Sequence, residues 1–443
     1  MFERPRSGER AVLVRVGLGA PPDPEDLREF TQLAESAGAI PVATIGGRRD
    51  KPDPRFFVGS GKADEIRIVA EANNAEVILV DHPLSPSQER NLEKLTGRRV
   101  LDRNGLILDI FAQRAASHEG KLEVELAQLK HISSRLVRGW THLERQRGGG
   151  IGNRGPGETQ LETDRRLLGK RVAVLQKRLE KIKQQRETGR QARAEIPVPS
   201  LALVGYTNAG KSTLFRTLTG EQAYVADQLF ATLDPTVRRL HLPGGTQVVV
   251  ADTVGFIRDL PHELVAAFQS TLTEAREAHL LLHVIDASDP RRSEHIDEVN
   301  SVLAQIGAAD IPQIRVYNKV DRLEQEPRLE RDADGNASAV WISAVTAVGI
   351  DLLHGAVAER LSRSVQRRRV LLPLSAGAAR ARLYAAGVVA AESVSEEGFA
   401  LDVDLPAVEL EALERIEGAR VTADPAGGDA CAPPAAYLKS AAS

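Results

Sequence analysis

Four short stretches carry residues whose types and spacing suit phosphate and purine chemistry. The first, "LALVGYTNAGKSTLF", is an apolar run followed by G-x-x-x-x-G-K-S, with Gly205, Gly210, Lys211 and Ser212 at the fixed positions. In such a loop the backbone N–H groups past Tyr206, from Thr207, Asn208 and Ala209 into the helix start, can wrap a β-phosphate at the positive helix end. Lys211 then bridges β- and γ-phosphates, and the Ser212 hydroxyl offers a hard oxygen to Mg²⁺. The second, "VVVADTVG", ends an apolar strand in Asp252-Thr253-Val254-Gly255. Its carboxylate suits a water-mediated hold on the magnesium, and Gly255 leaves its N–H free to turn onto a γ-phosphate. The third, "LFATLDPT", comprises Phe230, Ala231, Thr232, Leu233 and Asp234 and runs on to Thr236. Either threonine could reach the metal, and spacing does not separate them.

The fourth stretch selects the base. "IRVYNKVD" closes a strand with Asn318-Lys319-Val320-Asp321. A carboxylate only accepts hydrogen bonds; guanine presents N1–H and N2–H₂ as a donor pair, whereas adenine presents an acceptor at N1. An unpaired buried carboxylate costs several kcal/mol, enough to disfavour ATP by about 10³-fold. Lys319 can lay its methylene stem along the purine. Ser343-Ala344-Val345, in "VWISAVTAVG", can aim a backbone N–H at guanine O6. The four together predict a GTP site. A look-alike at 58–62, "VGSGK", has Phe56 and Ala63 where a full phosphate loop needs Gly and Ser or Thr. It reads as a turn opening a helix.

The position after Gly255, where many GTP hydrolases carry a water-orienting Gln, holds Phe256. Intrinsic turnover is therefore expected to be slow. Asn208 is a candidate ligand for a potassium ion that would offset charge developing at the β–γ bridge; the alternative is that it braces the loop.

Elements to position these groups are legible in the periodicity. Strand-like runs alternate with helical ones from residue 11 to about 115, which predicts a parallel α/β domain with the third helix capped by Ser85 or Ser87. Two heptad seams follow: Leu122, Leu126, Leu129, Ser133, Leu136, Trp140, and Leu161, Leu168, Val172, Leu175, Leu179, Ile182. The glycine-rich "RGGGIGNRGPGETQ" at 147–160 joins them, so an antiparallel helical hairpin is expected. Residues 121–195 hold 18 Lys/Arg against 9 Asp/Glu, although the whole chain carries a net charge of −3. That asymmetry suits a polyanionic partner.

The expected layout is a multidomain α/β protein. It has an N-terminal parallel α/β domain (1–118), a basic helical hairpin (119–196), a doubly wound, mostly parallel P-loop domain (197–364), a small α+β domain (365–420) and a disordered tail (421–443). One cysteine, Cys431, and no apolar leader or membrane-length apolar run predict a cytoplasmic protein without a stable membrane anchor.

"GPGETQLETDRR" before "GYTNAGKSTLFRTLTG", then "FATLDPT", "DTVGFI", "NKVD" and "SAV", resembles the HflX family of ribosome-associated GTPases. The N-terminal "FVGSGKADEI" and "LDRNGLILDIFAQRA" extend the likeness; the C-terminal domain matches only loosely. The resemblance implies GTP hydrolysis with Mg²⁺ and GDP release, Thr232 as the magnesium-binding switch threonine, and an apolar residue at Phe256 as normal. It further implies a monomer that binds the large (50S) ribosomal subunit, with turnover stimulated by ribosomes. It would act in ribosome splitting, rescue or recycling under stress, in the cytoplasm, on ribosomes or at the membrane surface. Competing readings are a GTPase of RNA modification or ribosome assembly and a GTP-switched adaptor. The lone cysteine argues against a thiolate-dependent modification site.

In this light the hairpin and its tip face ribosomal RNA. Glycines permit close backbone approach, Arg147 and Arg154 pair phosphates, and Trp140 either stacks on a base or packs between the helices. Replacing 148–157 with a short turn is expected to abolish ribosome-stimulated GTP turnover while sparing GTP binding. Stimulation that survives the replacement refutes the RNA contact.

Overall fold

The structure is a computed structural model. It describes residues 8–139, 156–191, 199–220, 229–230, 232–242, 247–258, 269–363, 365–385, 387–395, 398–406, 410, 413, 416 and 418–422. Trp140, Arg147, Arg154 and Ala231 lie outside the described residues. The chain divides into two units. One takes Met1–Ile182 with Val225–Asp234 and Val254–Leu272; the other takes Lys183–Tyr224, Pro235–Thr253 and Thr273–Ser443.

In the first unit, "AVLVRV" and "VILV" are apolar on both faces, as a parallel sheet covered on both sides requires. Strands β1 (Arg10–Leu18), β2 (Ile40–Arg49), β3 (Val77–Val80) and β4 (Arg99–Asp102) form that sheet in the order β2-β1-β3-β4, all parallel. Helices α1 (Pro24–Ser36), α2 (Ser60–Ala72), α3 (Pro86–Thr96) and α4 (Arg103–Arg114) alternate with them. Local chemistry sets their ends. Asp23 caps α1 ahead of Pro24, and Ser85, rather than Ser87, caps α3 in a capping box with Gln88. "VGSGK" opens α2, with Gly59 at the N-cap.

Helices α5 (His118–Gly139) and α6 (Pro156–Gln191) are the two arms of the expected hairpin. Leu122 and Leu126 pack with Leu175 and Leu179, flanked by Leu129, Val172 and Ile182. Along the other faces of α6, Arg165, Arg166, Lys170, Lys177, Arg178 and Lys181 are exposed. One boundary differs from expectation: α6 starts at Pro156, inside the stretch read as loop. Proline has no N–H to lose at a first helical position, and its φ is already helical.

Segments from beyond residue 200 complete this unit. Ser117 Oγ accepts the Gly120 N–H (2.9 Å), capping α5, and donates its own proton to Asp234. Asp234 also accepts the N–H groups of Ala116 and Ser117, each at 2.8 Å. Phe230, with φ 55°, sets its ring edge-on to Phe111 at 4.6 Å. Arg258 donates to Asp26 (2.7 Å), part of a buried network in which Arg15 pairs with Asp26 and Asp81, and Arg103 with Asp81 and Glu29.

In the second unit, seven strands run in the order β10-β11-β9-β8-β5-β7-β6. They are β5 (Ser200–Val204), β6 (Thr236–His241), β7 (Gln247–Asp252), β8 (Leu280–Asp286), β9 (Gln313–Asn318), β10 (Arg328–Arg331) and β11 (Ala337–Trp341). The sheet is parallel apart from β6 and β10 at its edges. Helix α7 (Lys211–Thr219) follows β5, α8 (Gln269–Arg276) precedes β8, and α9 (Arg292–Gln305) follows it. Helix α10 (Ile350–Arg363) packs Leu353, Ala356, Val357 and Leu361 into the core. The neighbours of β5 are β7 on one side and β8 on the other, so the chain reverses its winding direction there. Open α/β sheets bind ligands at such a point, beyond the strands' carboxyl ends. After residue 364 an antiparallel sheet, β12 (Val365–Leu372), β13 (Val389–Ser395), β14 (Gly398–Pro406) and β15 (Arg420–Thr422), packs against α11 (Gly377–Ala385). Among the described residues no helix is long and apolar enough to cross a membrane.

Asp81→Ala is expected to destabilise the protein by about 3 kcal/mol, because it takes one of two carboxylate partners from each of the buried Arg15 and Arg103 guanidiniums and leaves only Asp26 and Glu29 to them. The exposed Arg28–Glu25 pair should contribute no more than ~0.5 kcal/mol when Arg28→Ala removes it. Urea denaturation midpoints compare the two, and equal shifts would reject this account of the network.

Candidate functional site

The loop from β5 to α7 is fixed by two glycines in backbone regions that side chains resist. Gly205 has φ 149° and passes so close to Val284 that a Cβ would strike its carbonyl oxygen. Gly210 has φ 97°, and a Cβ there would strike the Asn318 amide nitrogen. The loop between is buried except at Asn208, which is exposed and left-handed at φ 59°. Thr207 is also buried, and its Oγ1 has no partner among the described residues.

Outward-facing carbonyls of the loop are held by side chains. Lys211 Nζ donates to Gly205 O (2.9 Å) and Tyr206 O (2.7 Å). Lys319 Nζ donates to Asn208 O (2.7 Å) and to Asp286 (2.7 Å). Asn318 Nδ2 donates to Ala209 O (2.9 Å), while its Oδ1 accepts the Ala344 N–H (2.9 Å). Thr217 Oγ1 donates to Ala344 O at 2.7 Å. The first and fourth sequence stretches and the Ser343–Val345 segment therefore meet at one end of the parallel sheet. Val320 is buried beside Ala287, Tyr317 and Trp341, Asp321 and Val345 are exposed, and Ser343 is buried. These placements leave an acceptor at Asp321 and an apolar side chain at Val345 facing solvent beside the loop.

The end of β7 adds the second stretch in part. Asp252 is buried, and its carboxylate is the charge that most favours the Lys211 ammonium. Thr253 Oγ1 is anchored on Leu203 O at 2.6 Å. Thr236 sits in the β6–β7 ladder opposite Asp252, a fixed position. Thr232 lies in irregular chain between Phe230 and the buried Leu233; with Asp234, Val254 and Gly255 it belongs to the first unit. Phe256 is fully buried.

Sequence reasoning did not single out Asp286, His283, Asp289, His295 or Thr217. Asp286 had a readable signal, since a carboxylate closing the apolar run "LLLHVI" must find a partner at a strand's carboxyl end. Burial holds His283 down to about 4, so this histidine is neutral. Burial likewise pulls Lys211 down to about 8, against the pull of Asp252 and with a push from Lys319.

Residues 24–112 match the family model described as GTP-binding GTPase N-terminal, 114–193 the GTP-binding GTPase middle region, and 200–319 the 50S ribosome-binding GTPase. The GTPase HflX of Escherichia coli (strain K12) is 55% identical over 423 residues, covering 95% of this chain and 99% of that protein. The GTPase HflX of Caldanaerobacter subterraneus subsp. tengcongensis is 44% identical over 91% of this chain and 93% of its own length. Among solved structures, the crystal structure of SsGBP with GDP aligns at 25% identity and a TM-score of 0.46, over 79% of this chain and 97% of that one.

The lowered Lys211 pKa carries a sign. A bound phosphate favours the ammonium and raises its pKa, so binding takes up a proton when the free group is partly neutral. GDP affinity is expected to weaken about fourfold from pH 7 to 8.5 with net proton uptake. Calorimetry in buffers of different ionisation enthalpy measures both. Binding without proton uptake at pH 8.5 contradicts the assignment of Lys211 to the phosphate.

Proposed function

The chain belongs to the HflX GTPase family, and from that footing we propose that its GTPase cycle drives ribosome splitting, rescue or recycling at the 50S subunit. The observation that carries the GTP site is Asn318, whose one side chain joins the phosphate loop to the base-recognition loop. In this reading the N–H groups of 207–213 and Lys211 hold the β- and γ-phosphates. Asp321 pairs guanine N1–H and N2–H₂, and Ala344 N–H meets O6.

Residues suited to Mg²⁺ are hard oxygen donors: the Ser212 hydroxyl at the start of α7, the Thr232 hydroxyl, and Asp252 through water. The ion supplies charge neutralisation at the β- and γ-phosphates when bound. Thr232 is preferred to Thr236 on the family pattern, in which it is the switch threonine. Gly255 offers its N–H to the γ-phosphate. With Phe256 fully buried, no side chain at that position orients water, so the intrinsic rate is slow and ribosomes accelerate it in this reading. Asn208, exposed and with its carbonyl already taken by Lys319, has its side chain available for potassium.

The exposed cationic row on α6 supports RNA as the ribosomal contact, because such a row releases counterions from phosphates. GTP turnover with and without purified large subunits, across a salt series in potassium and in sodium, tests the proposal. Expected are stimulation by subunits that collapses as salt rises, and faster turnover in potassium. Stimulation insensitive to salt would remove the electrostatic contact, and equal rates in the two cations would remove the potassium role.

A further inference from the structure

Three of the clamps on the phosphate loop act on its main chain. A fourth acts on a side chain. Tyr206, the residue directly after Gly205, lays its ring flat on the imidazole of His295, with centroids 3.9 Å apart and planes 10° from parallel. His295 stands in the first turn of α9. Its Nδ1 is 3.3 Å from Asp289 Oδ2, while Asp289 Oδ1 accepts the Arg291 N–H at 2.8 Å. The hydrogen bond with His295 leads the causes that hold the Asp289 carboxyl below its usual range.

Residues 286–295 thus grip the loop twice from outside. One line runs from Asp286 through Lys319 to the Asn208 carbonyl, the other from Asp289 through His295 to the Tyr206 ring. Between the two anchored residues lies Thr207, and the arch contains a left-handed non-glycine residue, Asn208. Such a conformation costs about 1–2 kcal/mol and persists only where the surroundings enforce it. An arch of convergent N–H dipoles also repels itself, so it must be held open by contacts on its convex side.

We propose that His295 is a positioning residue for nucleotide binding: stacked on Tyr206 and oriented by Asp289, it sets the curvature of the phosphate-binding arch. The inference rests on the reading of 205–212 as the phosphate loop. Without the stack the arch relaxes, and the nucleotide must reorganise it on binding. Backbone N–H groups hold the β-phosphate in ground and transition states alike, so the loss falls on affinity and not on the chemical step.

The test uses the full chain, fluorescent GDP for affinity and steady-state GTP turnover for kcat and KM. His295→Ala is expected to raise the GDP Kd and the KM about tenfold, the upper range for one stacked aromatic pair, with kcat within about twofold. His295→Phe keeps a flat ring and should restore affinity to within about threefold, and Asp289→Asn should weaken it about threefold. The double variant Tyr206→Leu/His295→Ala should bind no worse than the weaker single variant, since both remove one contact. A GDP Kd unmoved in His295→Ala, a His295→Phe variant as weak as His295→Ala, or additive effects in the double variant would each overturn the proposal. If His295→Ala fails to fold, Tyr206→Phe against Tyr206→Leu asks the same question, and equal affinities in that pair would overturn it as well. Failure of the underlying site reading is distinguishable: Lys211→Ala would then bind GDP as tightly as the unsubstituted chain.

Discussion

The site depends on the two hydrogen bonds of the Asn318 side chain. Buried to 2% exposure, its amide donates to Ala209 O and accepts from Ala344 N–H, which ties the loop after β5 to the loop after β11 through the end of β9. Only an amide offers a donor and an acceptor in one planar group of this size. An aspartate would face the Ala209 carbonyl with an acceptor, and a leucine would leave two buried groups unmet at about 1–3 kcal/mol each. The absence of a side chain at Gly210 follows from the same contact, since a Cβ would occupy the place of the amide nitrogen. The loop after β5 and the loop after β11 are therefore tied together by one side chain before any ligand contributes.

The two segments that carry Thr232 and Gly255 are held by a different logic. Each is pinned close to that residue by groups of the N-terminal helices and turns: Phe230 on Phe111, Asp234 on the turn at 116–120, and Arg258 on Asp26. Arg15, within β1, and Asp81, directly after β3, join the network that receives Arg258 through Asp26. Strands β1 and β3 flank the switch point of the four-stranded sheet, where a domain of this type would ordinarily receive a ligand. Here the ligand is a side chain of its own polypeptide. Phe256, two residues before Arg258, is completely enclosed.

The motifs were legible because phosphate and purine recognition fix residue types at fixed intervals, and all four stretches keep those intervals. Strand and helix order was legible for the same kind of reason, since apolar period and capping residues are local signals. What the sequence concealed is contact at long range. Nothing near Tyr206 predicts that a histidine 89 positions later will stack on it. Asp234 read as a phosphate-site neighbour, yet its carboxylate is engaged with a helix start 117 residues earlier. The helix beginning at Pro156 was hidden by its setting, a proline framed by glycines. That is the composition of a turn, and only the tolerance of proline at a first helical position lets a helix begin there.

The energetics of the loop favour binding over stability. Lys211 is buried, and its ammonium is satisfied by two neutral carbonyls of its own loop. Desolvation outweighs the pull of the Asp252 carboxylate and, with a push from Lys319, holds the Lys211 pKa down to about 8. Asn208 is held left-handed, and the Thr207 hydroxyl lies buried without a partner among the described residues. Each is a local cost that hydrophobic packing of the surrounding sheet must offset. In the proposed reading a polyphosphate would reverse all three: anionic oxygens would replace carbonyls at Lys211, the hydroxyl would gain an acceptor, and the strained turn would become the geometry that points N–H groups inward. A loop relaxed in the free protein would have to acquire these costs during binding, and affinity would fall by the same amount. The clamps on its convex side, Lys319, Asn318 and the ring of His295, are what allow the chain to carry them beforehand.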